Sequence, residues 1–158
     1  MILQHDSYLD DTTNIEEYAD RFGDKKRKDG HFYVEDFTLA ELKMLKRKQR
    51  YATRSPYLND KFEILTLVEL IQTVKMLNED EPRIVNTATT PGLYIELKDY
   101  NNYLSEKGWD LAQMLFSTLS NNGLGNISDS KDTMPIIIQS FDFEALEKFA
   151  TLSDLPLV

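Results

Sequence analysis

Leu93-Tyr94-Ile95-Glu96-Leu97-Lys98 alternates apolar and polar side chains. A period of two puts Leu93, Ile95 and Leu97 on one face of a β-strand and Tyr94, Glu96 and Lys98 on the other. The carboxylate and the ammonium then stand two residues apart, roughly 6.6 Å along the strand. Charges on a strand covered from both sides are rare unless they serve a site. Working outward, Ile136-Ile137-Ile138 with Phe141 reads as a continuous apolar strand, the signature of a parallel sheet covered on both faces. Residues 2–5 read as a short strand running into His5-Asp6, so the chain is expected to begin inside an element. Leu155-Pro156-Leu157-Val158 reads as the first half of another strand.

Helices are expected between these strands. Thr38-Leu39-Ala40-Glu41 and Thr66-Leu67-Val68-Glu69 are both capping boxes. Leu39, Leu42 and Leu45 extend the first as a helical stripe to about Gln49. Leu67, Leu70, Ile71, Val74 and Leu77 extend the second. Trp109 or Asp110 opens a third helix carrying Leu111, Met114, Leu115 and Leu119, which ends near Gly123 as a left-handed cap. Asp142 caps a fourth, with Phe143, Leu146 and Phe149. Residues 6–35, 50–64, 79–91 and 124–133 read as loops, and Lys25-Lys26-Arg27-Lys28 as a solvated loop. The order is β, α, α, β, α, β, α, β, which predicts an α/β fold with parallel βαβ units.

The 158 residues carry 27 acidic and 18 basic side chains, a net charge of −9. That balance argues against nucleic-acid or anionic-membrane binding. There is no cysteine, which removes disulfides and thiolate metal sites but leaves the compartment open. No apolar run approaches the roughly 18 residues of a membrane span, and no signal peptide is visible.

Polar groups gather at the carboxyl ends of the expected strands: His5-Asp6, Glu96 and Lys98, and Gln139-Ser140. Read alone, His5 is either a hydrogen-bonded loop histidine or a proton donor and acceptor near neutral pH. Glu96 and Lys98 are either a structural ion pair or site groups. His31, beside Gly30, reads as surface. Asp142 and Glu144 read as a helix cap and its neighbour, and Glu35-Asp36 as first-turn charge. Asn126-Ile127-Ser128 is a glycosylation sequon that matters only in a secreted chain.

Longer motifs carry a resemblance. Leu3-Gln4-His5-Asp6 is followed by Leu9-Asp10-Asp11-Thr12-Thr13-Asn14 and by Asp36-Phe37-Thr38-Leu39-Ala40-Glu41-Leu42-Lys43. Tyr94-Ile95-Glu96-Leu97-Lys98 and Ile138-Gln139-Ser140-Phe141-Asp142 come next, in order. Together they resemble the glycerophosphodiester phosphodiesterase family. The stretch from Asp20-Arg21 to Lys28-Asp29-Gly30-His31-Phe32-Tyr33 resembles its longer, periplasmic-type branch.

The resemblance implies a (β/α)8 barrel of the phospholipase-C-like phosphodiesterase type. About four βα units would be present, residues 1–158 being one domain cut at both ends. It implies metal-dependent hydrolysis of small glycerophosphodiesters to glycerol 3-phosphate and an alcohol. In that scheme His5 matches the second catalytic histidine, Glu96 the third carboxylate of a Ca²⁺ or Mg²⁺ site, and Lys98 the lysine near the phosphate. The family's His-Arg-Gly and Glu-x-Asp segments have no counterpart in residues 1–158 and would lie before Met1. The alternatives are a catalytically inactive remnant that at most binds a partner, and an unrelated small α/β binding domain.

Overall fold

Two threonines open helices by the same device. Thr38 Oγ1 accepts the Glu41 N–H (3.3 Å) while Glu41 Oε2 accepts the Thr38 N–H (2.8 Å). Thr66 and Glu69 repeat the exchange at 3.2 and 2.7 Å. Each box satisfies two backbone donors that the first helical turn leaves without partners. These contacts come from a computed structural model of the chain, which describes residues 1–80, 91–131 and 133–158. Most of the expected loop 79–91 lies outside the described residues. The chain divides into two compact units, Ile2–Leu65 and Thr66–Val158, with Met1 belonging to the second.

The unit Ile2–Leu65 is mostly loop, with helices α1 (Ala19–Phe22) and α2 (Leu39–Leu42) and single 3₁₀ turns at Ile15–Tyr18, Gly23–Lys25 and Val34–Asp36. Its core is Leu9, Ile15, Phe22, Phe32, Phe37, Leu42, Leu45 and Ile64. Two expectations are corrected here. Residues 2–5 form no strand; the Leu3 N–H donates to the Leu65 carbonyl (2.8 Å), and a turn follows. The Leu39-Leu42-Leu45 stripe does not carry a helix to Gln49. Instead α2 stops at Leu42, Leu45 is fully buried, and Lys46 pairs antiparallel with Glu63. Long-range pairing therefore overrides the local period.

The basic tetrad is at the surface, as expected, with Lys26 and Lys28 exposed, and its first three members are ion-paired. Lys25 meets Glu41 (2.8 Å), Lys26 meets Glu16 (2.7 Å), and Arg27 forks across Asp36 and Glu35. Asp36 first, then Glu35, holds the Arg27 guanidinium more firmly protonated than usual.

The unit Thr66–Val158 is α/β. Helix α3 (Leu67–Asp80) is followed by strand β1 (Leu93–Leu97), α4 (Tyr100–Asn102), a π turn at Tyr103–Lys107, α5 (Leu111–Asn121), α6 (Ile127–Ser130), β2 (Ile136–Ser140) and α7 (Phe143–Ala150). β1 and β2 are parallel, with Leu93 opposite Ile136 and Leu97 opposite Ser140. Leu157 adds a parallel bridge to Ile138, as the apolar C-terminal residues suggested. Gly92 fixes the entry: a Cβ there would collide with the Pro135 carbonyl oxygen, which accepts the Leu93 N–H at 2.8 Å. Gly123 has φ +70° and ends α5, as expected of a left-handed cap.

Ala112, Leu115, Leu119, Leu124, Met134, Ile136, Ile138, Ala145 and Phe149 are buried in this unit. Phe141 is not part of the apolar strand: it follows β2 and is 90% exposed. Residues 124–133 are not all loop. Asn126 caps α6, its Oδ1 accepting the Asp129 N–H at 2.9 Å, so the sequon asparagine is a helix cap. No helix of the described residues is long and apolar enough to cross a membrane.

Glu41 links the first capping box to pH. Its carboxyl is held down to about 2 from an ordinary 4.5, first by the Lys25 ammonium and then by the Thr38 N–H. A carboxylate lowered by folding stabilises above its unfolded pKa and loses that effect as pH falls through the folded one. Glu41→Gln should therefore lower the thermal midpoint by a constant amount near neutral pH. The gap to the native chain should close between pH 4.5 and about 2. A gap unchanged at pH 2 in thermal melts would contradict this assignment.

Candidate active site

In the unit Thr66–Val158 the site is built at the carboxyl edge of the sheet. Glu96 lies on β1 opposite Gln139, and Lys98 follows the strand's last residue. Their even spacing places both on one face, and Lys98 Nζ meets Glu96 Oε1 at 2.7 Å. Their side chains are 24% and 29% exposed, for Glu96 and Lys98 respectively. The two groups therefore stand together on one face at the carboxyl end of a parallel strand, as the strand periodicity predicted.

A small network holds the backbone on either side of Lys98. Ser140, at the end of β2, is buried, and its Oγ donates to the Leu97 carbonyl at 2.8 Å. The same oxygen accepts the Asp142 N–H at 3.1 Å. Asp142 does not cap α7 with its side chain, contrary to the sequence expectation. Its Oδ2 accepts the Tyr100 N–H at 2.6 Å instead. The Tyr100 ring is buried, and its hydroxyl donates to Asp110 Oδ1 (3.3 Å), the N-cap of α5. Burial, and then Asp110, raises the Tyr100 hydroxyl above its ordinary pKa. Between these anchors Asp99 adopts φ +52°, a left-handed conformation that costs a non-glycine residue on the order of 1 kcal/mol.

His5 belongs to the unit Ile2–Leu65. Its ring is 70% exposed, and Nδ1 lies 2.6 Å from Asp6 Oδ1. An ionised carboxylate only accepts, so Nδ1 carries the hydrogen and Nε2 is left as the exchanging nitrogen. Arg50 binds the other Asp6 oxygen. Upstream of His5, the Arg47 guanidinium binds Gln4 Oε1 and the Leu3 carbonyl, and its burial lowers the Arg47 pKa. The adjacent His5-Asp6 dipeptide hinted at this pairing; nothing local marked Arg50, 44 residues on. His31 is at the surface as expected, its side chain 43% exposed, and it is also packed. Its ring stacks on Tyr8 at 4.4 Å, with Asp10 Oδ2 at 3.6 Å from Nδ1.

A hard dication takes six or more oxygen ligands, usually from several carboxylates. Among the described residues no three His, Cys, Asp or Glu side chains gather to hold one. Glu96 supplies one carboxylate, already engaged by Lys98. The described residues therefore do not by themselves fit a Ca²⁺ or Mg²⁺ centre.

The sequence pattern of the glycerophosphoryl diester phosphodiesterase family matches residues 1–158. The chain belongs to that family. It is 33% identical over 169 residues to glycerophosphodiester phosphodiesterase GDPD6 of Arabidopsis thaliana, a match covering 99% of this chain and 42% of that protein. It is 29% identical to a glycerophosphodiester phosphodiesterase of Haemophilus influenzae, covering 96% of this chain and 40% of the relative. A protein of the same name from Treponema pallidum is 27% identical, with 94% and 40% covered. The chain thus spans about two-fifths of the length of these curated relatives.

The His5–Asp6 geometry makes a prediction independent of activity. Nitrogen NMR above the imidazole titration should show the neutral ring protonated at Nδ1. Asp6→Asn should shift the ring toward the Nε2–H tautomer, because the carboxylate that selects Nδ1–H is gone. A ring found as Nε2–H in the native chain would refute the pairing.

Proposed function

We propose that this chain is part of a phosphodiesterase barrel that hydrolyses small glycerophosphodiesters to glycerol 3-phosphate and an alcohol. The observation that carries the reading is the family match over residues 1–158, together with Glu96 and Lys98 side by side at the end of a parallel strand. The parallel α/β unit is compatible with a (β/α)8 barrel, whose chemistry stands at the strands' carboxyl ends.

Each residue takes a role that its chemistry allows. Lys98 presents an ammonium with three N–H donors, one spent on Glu96, to the phosphate's non-bridging oxygens. A charge held there offsets the negative charge that builds during phosphoryl transfer. His5 in its imidazolium form would give the Nε2 proton to the leaving alcohol's oxygen as water forms the new bond to phosphorus and the P–O bond to the alcohol breaks, which returns the ring to the Nδ1–H tautomer that Asp6 holds. Glu96 is assigned as one carboxylate that would help to hold a divalent cation, Ca²⁺ or Mg²⁺, together with ligands other than the described residues. The cation's contribution, when bound, is to polarise phosphoryl oxygens.

Titration of the chain with Ca²⁺ or Mg²⁺ should accordingly show no saturable site below about 1 mM, weaker than dedicated protein cages. Micromolar stoichiometric binding abolished by Glu96→Gln would show a complete site within these residues and overturn the shared-ligand assignment.

The roles separate by leaving group in a protein where residues 1–158 are flanked by the family's His-Arg-Gly and Glu-x-Asp segments. His5→Ala should cost roughly 10²–10⁴ in turnover on glycerophosphocholine. The loss should shrink on a nitrophenyl diester, whose leaving group hardly needs a proton. Lys98→Ala should lower kcat/KM on both substrates alike, because both carry the same phosphate. Equal losses for His5→Ala on the two substrates would return His5 to a structural role. A flanked protein without hydrolysis of either diester would favour the inactive binding module.

A further inference from the structure

Asp142 stands at the N-cap position of α7 yet spends its carboxylate elsewhere. Its Oδ2 takes the Tyr100 N–H at 2.6 Å, and Oδ1 lies 3.5 Å from the Asn101 side-chain amide, which also reaches Glu144 at 3.1 Å. Its own N–H donates to Ser140 Oγ, which donates in turn to the Leu97 carbonyl. The β2–α7 segment therefore grips the chain at Leu97 and again at Tyr100. Only Lys98 and Asp99 lie between these two points, and Asp99 holds φ +52°. Leu97 and Tyr100 are buried, 3% exposed each, and the Ser140 bond to the Leu97 carbonyl is buried with them. The side chain that starts between them is the one assigned to the phosphate.

We infer that Ser140 and Asp142 are positioning residues for Lys98: they clamp both flanks of its backbone and thereby fix where its ammonium meets a phosphate oxygen. This rests on the reading of Lys98 as the phosphate-binding cation. The physical argument is one of preorganisation. A lysine has a long, flexible stem, so the accuracy with which its charge is delivered depends on how firmly its Cα is held. The Ser140 hydroxyl suits the task because it donates and accepts at once. The Asp142 carboxylate suits it because a charge-assisted bond to a backbone N–H is short and strong. Neither group needs to touch the substrate.

The clamp and an ordinary helix cap make opposite predictions for Asp142→Ala, read by amide hydrogen exchange on the intact chain. The clamp requires exchange at the Tyr100 amide to accelerate at least tenfold, with the first-turn amides of α7 unchanged. Acceleration in α7 with Tyr100 protected would mean that Asp142 is a cap, and the inference would fail.

The second arm is calorimetric binding of glycerol 3-phosphate, with circular dichroism of each variant as a check on folding. Lys98→Ala should weaken binding tenfold or more, and Asp142→Ala or Ser140→Ala about threefold to tenfold. The double variant Lys98→Ala with Asp142→Ala should bind no worse than Lys98→Ala alone, because a clamp acting through Lys98 has nothing left to position. Asp142→Asn keeps an oxygen for the Tyr100 N–H and the shape of the side chain, so it folds where alanine fails and should retain more of the affinity. Losses that add in the double variant, or Asp142 and Ser140 variants with native affinity, overturn the positioning role. A native chain whose affinity is untouched by Lys98→Ala overturns the phosphate reading instead, and the exchange result then separates that failure from failure of the clamp.

Discussion

The parallel pairing of Leu93–Leu97 with Ile136–Ser140 decides where every polar group at the sheet's carboxyl edge can stand. Side chains alternate along a strand, so a slip of one residue would turn Glu96 and Lys98 toward the face now held by Leu97. Both ends of the register are fixed. At the entry, Gly92 lets the backbone close onto the Pro135 carbonyl, which takes the Leu93 N–H. At the exit, the Ser140 hydroxyl ties the Leu97 carbonyl. A buried hydroxyl pays its desolvation only if it is bonded, and this one is bonded twice. The same contact that satisfies Ser140 therefore also locates the charged pair.

The unit Ile2–Leu65 solves a different problem. It has little regular structure, so few of its backbone groups are satisfied by ladders or helices. Side chains take over that work. Asn14 is buried, and its Oδ1 accepts the Lys46 N–H at 2.7 Å while its N–H donates to the Lys46 carbonyl at 3.0 Å. Arg47 bonds the Leu3 carbonyl directly. Asn59 accepts the Gln49 N–H at 2.8 Å. Buried polar groups arranged in this way hold one chain path and exclude others, because each alternative leaves a donor or acceptor without a partner. His5 inherits its setting from this scaffold: Arg47 holds the residues before it, and Arg50 holds the Asp6 that orients it.

What could be read from the residues alone depended on how far each signal reaches. The capping boxes at Thr38 and Thr66 were legible because all their atoms lie within four residues. The Glu96–Lys98 pair was legible because strand periodicity is local and the pair's spacing fixes its face. The helix through Leu45 was not, since the Lys46–Glu63 bridge that ends it comes from 17 residues away. Residues 2–5 have strand-like composition but no continuous partner strand, and composition without pairing does not make a strand. Asp142 carried the local signature of a cap. The donor that claimed it, the Tyr100 N–H, is 42 residues distant and invisible to any local pattern.

The pair itself explains how a site can be built from groups that already satisfy each other. An ion pair as open to water as Glu96 and Lys98 contributes on the order of 1 kcal/mol or less, because solvent screens it. Such a pair keeps the ammonium from wandering without holding it tightly. In the proposed role of Lys98, a phosphate oxygen arriving beside it would share or displace the carboxylate at small cost, its own charge compensating the loss. A fully buried pair would not behave this way, since breaking it strands a desolvated charge and costs several times more. The partial exposure of Glu96 and Lys98 is thus consistent with the proposed role of Lys98: the ion pair orients the lysine and leaves it open to a ligand.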